Sequence, residues 1–190
     1  MSSRIQGVHP KEYNGVQYKS TLEAETARTL DKLGLPVNYE KKKISLLDGF
    51  RCPYQKNKVI GITYKPDFIL NNIIIECKGF ETPEWRNKKK YIYKYLMENE
   101  PNTLFYQTHN SHKDVLFALD KHWERLGYMI QVTSKGTTKV PSTIYTFKSV
   151  ADAMCSLGLN GKNVGPIIKT MIGDKDWAYD YNWKLVKYEV

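Results

Sequence analysis

The stretch that decides the fold is YKPDFILNNIIIECKG, residues 64–79. It contains two short runs of β-forming residues separated by Asn71-Asn72, a pair typical of a two-residue hairpin turn. Pairing across that turn sets Asp67 directly opposite Glu76. Because side chains alternate along a strand, Lys78 shares the face of Glu76. The sequence therefore predicts a hairpin that gathers two acids and a lysine on one patch.

This patch suggests metal chemistry. Carboxylates roughly 5 Å apart on facing strands repel, so Asp67 and Glu76 need a neutralising partner. Magnesium takes hard oxygen ligands and leaves positions for a phosphate oxygen and a water. The amine of Lys78 would orient that water or balance charge in the transition state. The pattern favours phosphodiester hydrolysis, and a solvated ion-pair cluster on an exposed sheet face is the alternative.

Upstream of the hairpin the sequence predicts one helix and then β structure. The run Ser20-Thr21-Leu22-Glu23 has the spacing of a capping box, and apolar residues follow at helical spacing up to Gly34. We expect a helix over residues 20–33, a strand over 37–47, a loop over 48–57 and a strand over 58–64.

Downstream of the hairpin the pattern alternates between helix and strand. Pro83 opens a predicted helix that ends at Met97, with apolar residues on one side and basic residues on another. A strand over 103–108 and a helix over 111–126 follow. We expect residues 1–133 to form one α/β domain.

The C-terminal third reads as a separate module. Residues 134–142 are polar and contain Gly and Pro, which is typical of a linker. Residues 143–190 predict a strand (144–147), helices (149–157 and 163–171) and a final strand (181–188). Two short helices joined by a turn with glycine suggest a helix-turn-helix.

The composition limits which kinds of binding partner and which cellular compartment are expected. Lysine and arginine total 29 against 20 acids, a net charge of +9 that favours a polyanionic partner such as DNA. Three widely spaced cysteines without zinc-ligand spacing indicate a reducing compartment and no structural zinc. No apolar run is long enough to span a membrane, so we expect no membrane partner and a cytoplasmic protein.

The hairpin motif carries a family resemblance. The string YKPDF, with Glu76-Cys77-Lys78-Gly79 beginning nine residues after Asp67, resembles the motif of the PD-(D/E)XK nuclease superfamily. Together with KSTLE (19–23) and GLPVNYE (34–40), it resembles phage endonuclease I, a Holliday-junction resolvase family, over about residues 13–126.

The resemblance implies a metal-dependent nuclease site. It makes Asp67, Glu76 and Glu23 ligands of Mg²⁺, for which Mn²⁺ would substitute, and Lys78 a catalytic residue. It also implies a restriction-endonuclease-like mixed sheet flanked by helices, and a homodimer. If the gene is phage-encoded, the compartment is the bacterial host cytoplasm. The capping box leaves a second interpretation for Glu23, which is closure of its own helix.

Basic residues after the hairpin are candidate DNA contacts. We expect residues of the predicted helix over 83–97 to hold the phosphate backbone, with a solvated charged face as the alternative. These residues are Arg86, Lys88, Lys89, Lys90 and Lys94.

The C-terminal module resembles the small DNA-binding repeat of intron-encoded homing endonucleases, as in YTFKSVADA (145–153). If its second helix enters the major groove, the contact candidates are Lys162, Asn163, Lys169 and Thr170. An accessory fold for packing or dimerisation is the alternative.

The resolvase family lacks such a tail, so we favour a phage-type homing endonuclease over a structure-selective resolvase. A DNA-binding protein on an inactive nuclease scaffold is a third reading. The expected fold class is α/β, with a small α+β helix-turn-helix-like C-terminal module.

Overall fold

The computed structural model describes residues 9–109, 112–138 and 140–188. The chain forms two compact units. Unit 1 comprises residues 1–36 and 111–190, and unit 2 comprises residues 37–110.

Strands and helices are interspersed along the chain, as the α/β prediction requires. Within the described residues the elements are β1 (Lys11–Tyr13), β2 (Val16–Tyr18), α1 (Thr21–Lys32), β3 (Ile44–Leu47), β4 (Ile62–Tyr64), β5 (Phe68–Leu70), β6 (Ile73–Cys77), α2 (Pro83–Asn99), β7 (Leu104–Thr108), α3 (His112–Asp120), α4 (Trp123–Leu126), β8 (Tyr128–Ser134), β9 (Ile144–Phe147), α5 (Val150–Ser156), α6 (Val164–Met171) and β10 (Tyr181–Lys187).

A mixed sheet in the order β5-β6-β7 forms the centre of unit 2. The predicted hairpin is confirmed: Leu70 pairs with Ile73, and Asn71 has the positive φ of 50° that a tight two-residue turn needs. Strand β7 pairs in parallel with β6, and helix α2 makes the crossover between them. All five residues of β6 are buried, which is typical of a strand covered on both faces.

Helix α2 packs through the apolar side that its sequence predicts. Trp85, Ile92 and Leu96 are buried and share a core with Ile44, Tyr64 and Ile74. Thr82 caps the helix by accepting a hydrogen bond from the amide of Trp85. The helix thereby presents the indole of Trp85 to the face of β6 that carries Ile74.

The predicted strand over 37–47 is wrong in its first half. Residues 38–40 lie along β5 instead, where the amide of Glu40 donates to the carbonyl of Asp67 at 2.9 Å. Glu40 then takes a φ of +47°, which turns the chain and interrupts an extended conformation. Only Ile44–Leu47 form a strand, paired with β4.

Unit 1 begins with a hairpin and a capped helix. Strands β1 and β2 pair around Asn14-Gly15, both with positive φ, and helix α1 packs on this hairpin. Ser20 is the N-cap of α1, and Gly34 follows the helix with a φ of +70°. Ala24, Ala27 and Leu30 form the buried side of α1.

The C-terminal part of unit 1 is a three-stranded antiparallel sheet with helices α5 and α6. The sheet order is β10-β8-β9, so β8 pairs with strands on the other side of the predicted 134–142 linker. Helix α6 packs against β10 and against α3. The domain boundaries at 133 and 142 remain a prediction.

The predicted helix over 111–126 is two helices, α3 and α4, because the chain breaks after Asp120. The Asp120 carboxylate accepts hydrogen bonds from the indole of Trp123 and from the backbone amides of Val150 and Ala151. It therefore satisfies two amides that the first turn of α5 leaves without helical partners.

The α/β fold class is confirmed by the interspersed strands and helices and by the mixed sheet of unit 2. Among the described residues, no helix is long and apolar enough to cross a membrane.

Candidate active site

The hairpin brings Asp67 and Glu76 to the same end of the unit 2 sheet. Both side chains are buried, at 8% and 3% exposure. The ladder ends one pair earlier than predicted, at Phe68 opposite Ile75. Beyond that pair, Oδ2 of Asp67 accepts a 2.7 Å hydrogen bond from the amide of Cys77. Asp67 is thus held beside the residue that follows Glu76.

Glu76 has two polar neighbours on its own side of the sheet. The Tyr64 hydroxyl donates to Oε2 of Glu76 at 2.8 Å. Nζ of Lys78 lies 3.4 Å from Oε1 of Glu76, so the predicted shared face of these two residues is confirmed. The Lys78 ammonium also lies 4.5 Å from the ring centroid of Trp85. The lysine is therefore positioned by a carboxylate and by an aromatic face.

Burial dominates the electrostatics of Glu76. It raises the pKa of the carboxyl, although Lys78 and the Tyr64 hydrogen bond act in the opposite direction. Burial also lowers the pKa of Lys88, against the attraction of Glu76. The cationic groups near Glu76 thus compensate only part of the cost of burying its charge.

The donor set fits a hard divalent cation. Two buried carboxylates supply oxygen ligands of the kind that Mg²⁺ binds, and burial raises the pKa of Glu76. The side chain of Cys77 is buried and is a free thiol. Among the described residues, no group of three or more His, Cys, Asp and Glu side chains is arranged to hold a metal.

Glu23, the third predicted ligand, lies in unit 1 at the start of α1. Its backbone amide donates to Oγ of Ser20 at 3.2 Å. The Ser20 hydroxyl donates to Oε1 of Glu23 at 2.9 Å, and the amide of Lys19 donates to Oε2 at 3.1 Å. These contacts are those of the capping interpretation. The role of Glu23 as a metal ligand remains a prediction.

The basic residues of α2 divide into two groups. Arg86, Lys90 and Lys94 are exposed on the outer side of the helix, as the sequence predicts. Lys88 is half-buried, with Nζ 5.9 Å from the ring centroid of Tyr64, and Lys89 forms an ion pair with Glu81. Lys88 therefore belongs to the surroundings of Glu76, and the first three residues form the open basic face.

A series of hydrogen bonds that connects Trp85, Gln107 and Glu81 was not predicted. In the parallel ladder Gln107 lies beside Glu76, and its Oε1 accepts from the indole nitrogen of Trp85 at 3.0 Å. Nε2 of Gln107 donates to Glu81 at 2.9 Å. Tyr64 was also missed, although it stands three residues before Asp67. Its place at the end of a predicted strand was the available signal.

The C-terminal candidates lie around α6 in unit 1. Lys162 and Lys169 are exposed. Asn163 caps α6, with its side-chain oxygen accepting from the amide of Gly165 at 2.8 Å. Thr170 is only 4% exposed, and its hydroxyl donates to the carbonyl of Pro166. Of the four, Thr170 is thus placed on the packed side of the helix.

Comparison with known proteins identifies one family. The family model described as Phage endonuclease I matches residues 6–111, more than half of the chain. No curated protein and no solved structure matches. The matched range includes Glu23, Asp67, Glu76, Lys78 and all of α2, and it ends before the three-stranded sheet of unit 1.

Proposed function

This chain belongs to the phage endonuclease I family, and on that premise we propose that it is a magnesium-dependent endonuclease that hydrolyses DNA phosphodiester bonds. The family supports a nuclease that acts on DNA. The metal, the catalytic residues and the kind of DNA cleaved are the parts that we propose.

The juxtaposition of Asp67, Glu76 and Lys78 carries the proposal. Two carboxylates are buried at one end of a hairpin, and the ammonium of Lys78 lies 3.4 Å from the carboxylate of Glu76. Burying two acids is unfavourable unless a cation compensates them. Such an arrangement is costly for stability alone and is useful for binding a divalent metal beside phosphate.

Each residue has a distinct role in this proposal. Asp67 and Glu76 would hold Mg²⁺, and Mn²⁺ would substitute for it. A bound Mg²⁺ supplies Lewis-acid stabilisation of phosphate oxygens and lowers the pKa of coordinated water. Lys78 would place its ammonium near the reacting phosphate and balance the charge that develops there. Tyr64 and Trp85 position the side chains of Glu76 and Lys78.

The outer face of α2 supports DNA as the substrate. Arg86, Lys90 and Lys94 form an exposed basic side on the helix that directly follows the acidic hairpin. Contacts of this type neutralise phosphates and fix the position of the duplex without reading its sequence. Cleavage of both strands requires two active sites or two successive cuts, and we propose a homodimer.

We propose a site-specific enzyme of the homing type. The family match ends at residue 111, and the α5–α6 pair with its sheet lies beyond it. An additional helix pair offers a means of reading base edges. The second candidate is a structure-selective junction resolvase, and the match of the catalytic region to the phage endonuclease I family favours it.

Cleavage assays separate these substrates. A phage genomic DNA library and an immobile four-way junction are incubated with the full chain in Mg²⁺ and in EDTA, and the ends are mapped by sequencing. Discrete ends at one long site support homing, and cuts centred on the junction support a resolvase. Lack of metal-dependent cleavage of either DNA would overturn the proposed function.

Variants test the site in the same assay. Glu76→Ala and Lys78→Ala are expected to abolish cleavage, while DNA binding is largely retained because phosphate contacts elsewhere supply most of the affinity. Asp176→Ala, which removes an exposed acid of unit 1, is the control and retains cleavage. Full activity of either active-site variant would contradict the assignment.

A further inference from the structure

The loop between β3 and β4 is a projecting arm, which we define as residues 48–61. None of its residues is buried. Its exposed residues include large apolar side chains: Tyr54 is 93% exposed, Ile60 is 86% exposed and Phe50 is 50% exposed. An arm with this composition gains little stability from packing against the core of its own unit.

The arm is nevertheless built as a hairpin. Phe50 and Val59 exchange two backbone hydrogen bonds, of 3.0 and 2.8 Å. A turn closes beyond them, where the amide of Gln55 donates to the carbonyl of Cys52 at 3.1 Å. At its base a Cβ on Gly61 would lie 2.4 Å from the carbonyl oxygen of Leu47. The two sides of this hairpin therefore approach so closely only because Gly61 has no side chain.

The charge of the arm is mostly positive. Arg51, Lys56 and Lys58 are exposed, and residues 49–66 contain no Asp or Glu. The one acid of the arm is Asp48 at its base, which accepts a hydrogen bond from Ser45. Exposed aromatic and basic side chains thus occur together along the arm.

We propose that this arm binds duplex DNA, with its basic residues on phosphates and Tyr54 in apolar contact with sugars and base edges of the minor groove. β-Ribbons enter DNA grooves, and apolar side chains contact minor grooves in this way. The inference rests on the proposed function, since it gives a second contact surface to the same substrate. It extends that function because the arm carries neither the acids nor the α2 basic face.

Charge decides between DNA and a second copy of the chain as the occupant. Two copies of this arm would bring three cations against three cations, and each arm contains Asp48 as its single acid. A phosphate backbone supplies the opposite charge, and its neutralisation releases counterions. DNA therefore fits both the basic and the apolar residues of the ribbon.

The first test measures binding without catalysis. The full chain is titrated against a fluorescent duplex in EDTA at several salt concentrations, and anisotropy gives Kd. The triple variant Arg51→Ser, Lys56→Ser, Lys58→Ser is expected to bind at least about tenfold more weakly, with a salt slope lower by about 2.7. Three exposed lysines changed elsewhere, Lys121→Ser, Lys175→Ser and Lys187→Ser, give the same change in net charge and a smaller effect.

The second test isolates Tyr54. Tyr54→Ala is expected to weaken binding about tenfold with the salt slope unchanged, and Tyr54→Phe is expected to retain affinity because the ring remains. Unchanged affinity of both the triple variant and Tyr54→Ala would overturn the proposal. The proposal would also be overturned if light scattering showed that the variants lose binding only because a dimer dissociates.

Failure of this inference and failure of the proposed function are distinguishable. If the wild-type chain cleaves DNA and the arm variants bind it normally, only the arm proposal fails. If the wild-type chain neither binds nor cleaves DNA, the proposed function fails first.

Discussion

The hydroxyl of Tyr64 lies 2.8 Å from Oε2 of Glu76 and donates a hydrogen bond to it inside unit 2. Tyr64 ends β4, and Glu76 is the fourth residue of β6, so the bond joins two sheets that share no backbone ladder. A hydrogen bond to a carboxylate favours its ionised form and opposes the effect of burial on the pKa.

Removing that bond gives the first prediction. In Tyr64→Phe the pKa of Glu76 rises further, so the acidic limb of the pH–rate profile for DNA cleavage shifts to higher pH. The loss of a partner for a buried carboxylate also lowers the free energy of unfolding by about 1–3 kcal/mol. Urea unfolding and pH–rate profiles measure both effects. Tyr91→Phe, at an exposed tyrosine of α2, should leave them unchanged.

The burial of Glu76 predicts a pH dependence of stability. Since its folded pKa is raised, the folded chain binds the proton more tightly than the unfolded chain does. The contribution of Glu76 to the free energy of unfolding is therefore fully present below the unfolded pKa and falls as pH rises through the folded pKa. Relative to the wild type, Glu76→Gln becomes more stable over that window. A difference independent of pH would refute this account.

We expect Mg²⁺ to offset the loss of stability that ionised, buried Glu76 causes. Mg²⁺ that binds only the folded chain raises its stability by about 2.7 kcal/mol at 100 times its Kd. Thermal unfolding in metal-free buffer is compared with and without Mg²⁺ at constant ionic strength. Tm should rise for the wild type and remain unchanged for Glu76→Gln. An equal rise in both proteins would indicate binding elsewhere.

The base of the arm gives a prediction about packing. A Cβ at Gly61 would lie 2.8 Å from the amide nitrogen of Gly49 as well as 2.4 Å from the Leu47 carbonyl oxygen, and backbone atoms do not yield easily. Gly61→Ala should lower stability by about 1–3 kcal/mol in urea unfolding. Gly79→Ala, where the nearest of the neighbouring atoms is 4.0 Å away, is the control and should be close to neutral.

Asp120 gives a prediction about unit 1. Its carboxylate accepts from Val150 and Ala151 at 2.7 and 3.1 Å and from the Trp123 indole at 3.0 Å. Asp120→Ala should lower the free energy of unfolding by about 2–3 kcal/mol, because these donors lose a charged acceptor. Asp152→Ala, at an exposed acid in the first turn of α5, should cost about 0.3–1 kcal/mol. Equal losses in the two variants would contradict the capping role.

Local signals made the hairpin predictable. Asn71-Asn72 fixes the turn, alternation fixes the faces, and together they placed Glu76 and Lys78 side by side, as the 3.4 Å contact confirms. The predicted apolar side of α2 depended on helical periodicity in the same way. Both features rest on residues a few positions apart, where backbone geometry alone relates the side chains.

Contacts between distant residues were not predictable from such signals. The turn at Glu40 accompanies a hydrogen bond to Asp67, and Asp120, where α3 ends, accepts from an amide 30 residues away. Strand β8 was missed because its pairing partners lie in β9 and β10. The hairpin of β1 and β2 is different, since Asn14-Gly15 is a strong turn signal that was overlooked.

The division of the chain into two units also sets an order for folding during synthesis. Unit 2 is one continuous segment and is complete once Asn110 has left the ribosome. Unit 1 uses residues from both sides of that segment, and its sheet closes only when β10 pairs with β8. Because domains fold as units while they emerge, we expect the acidic hairpin to form before the C-terminal sheet. The nascent chain would then carry Asp67, Glu76 and Lys78 in place before it carries a completed unit 1.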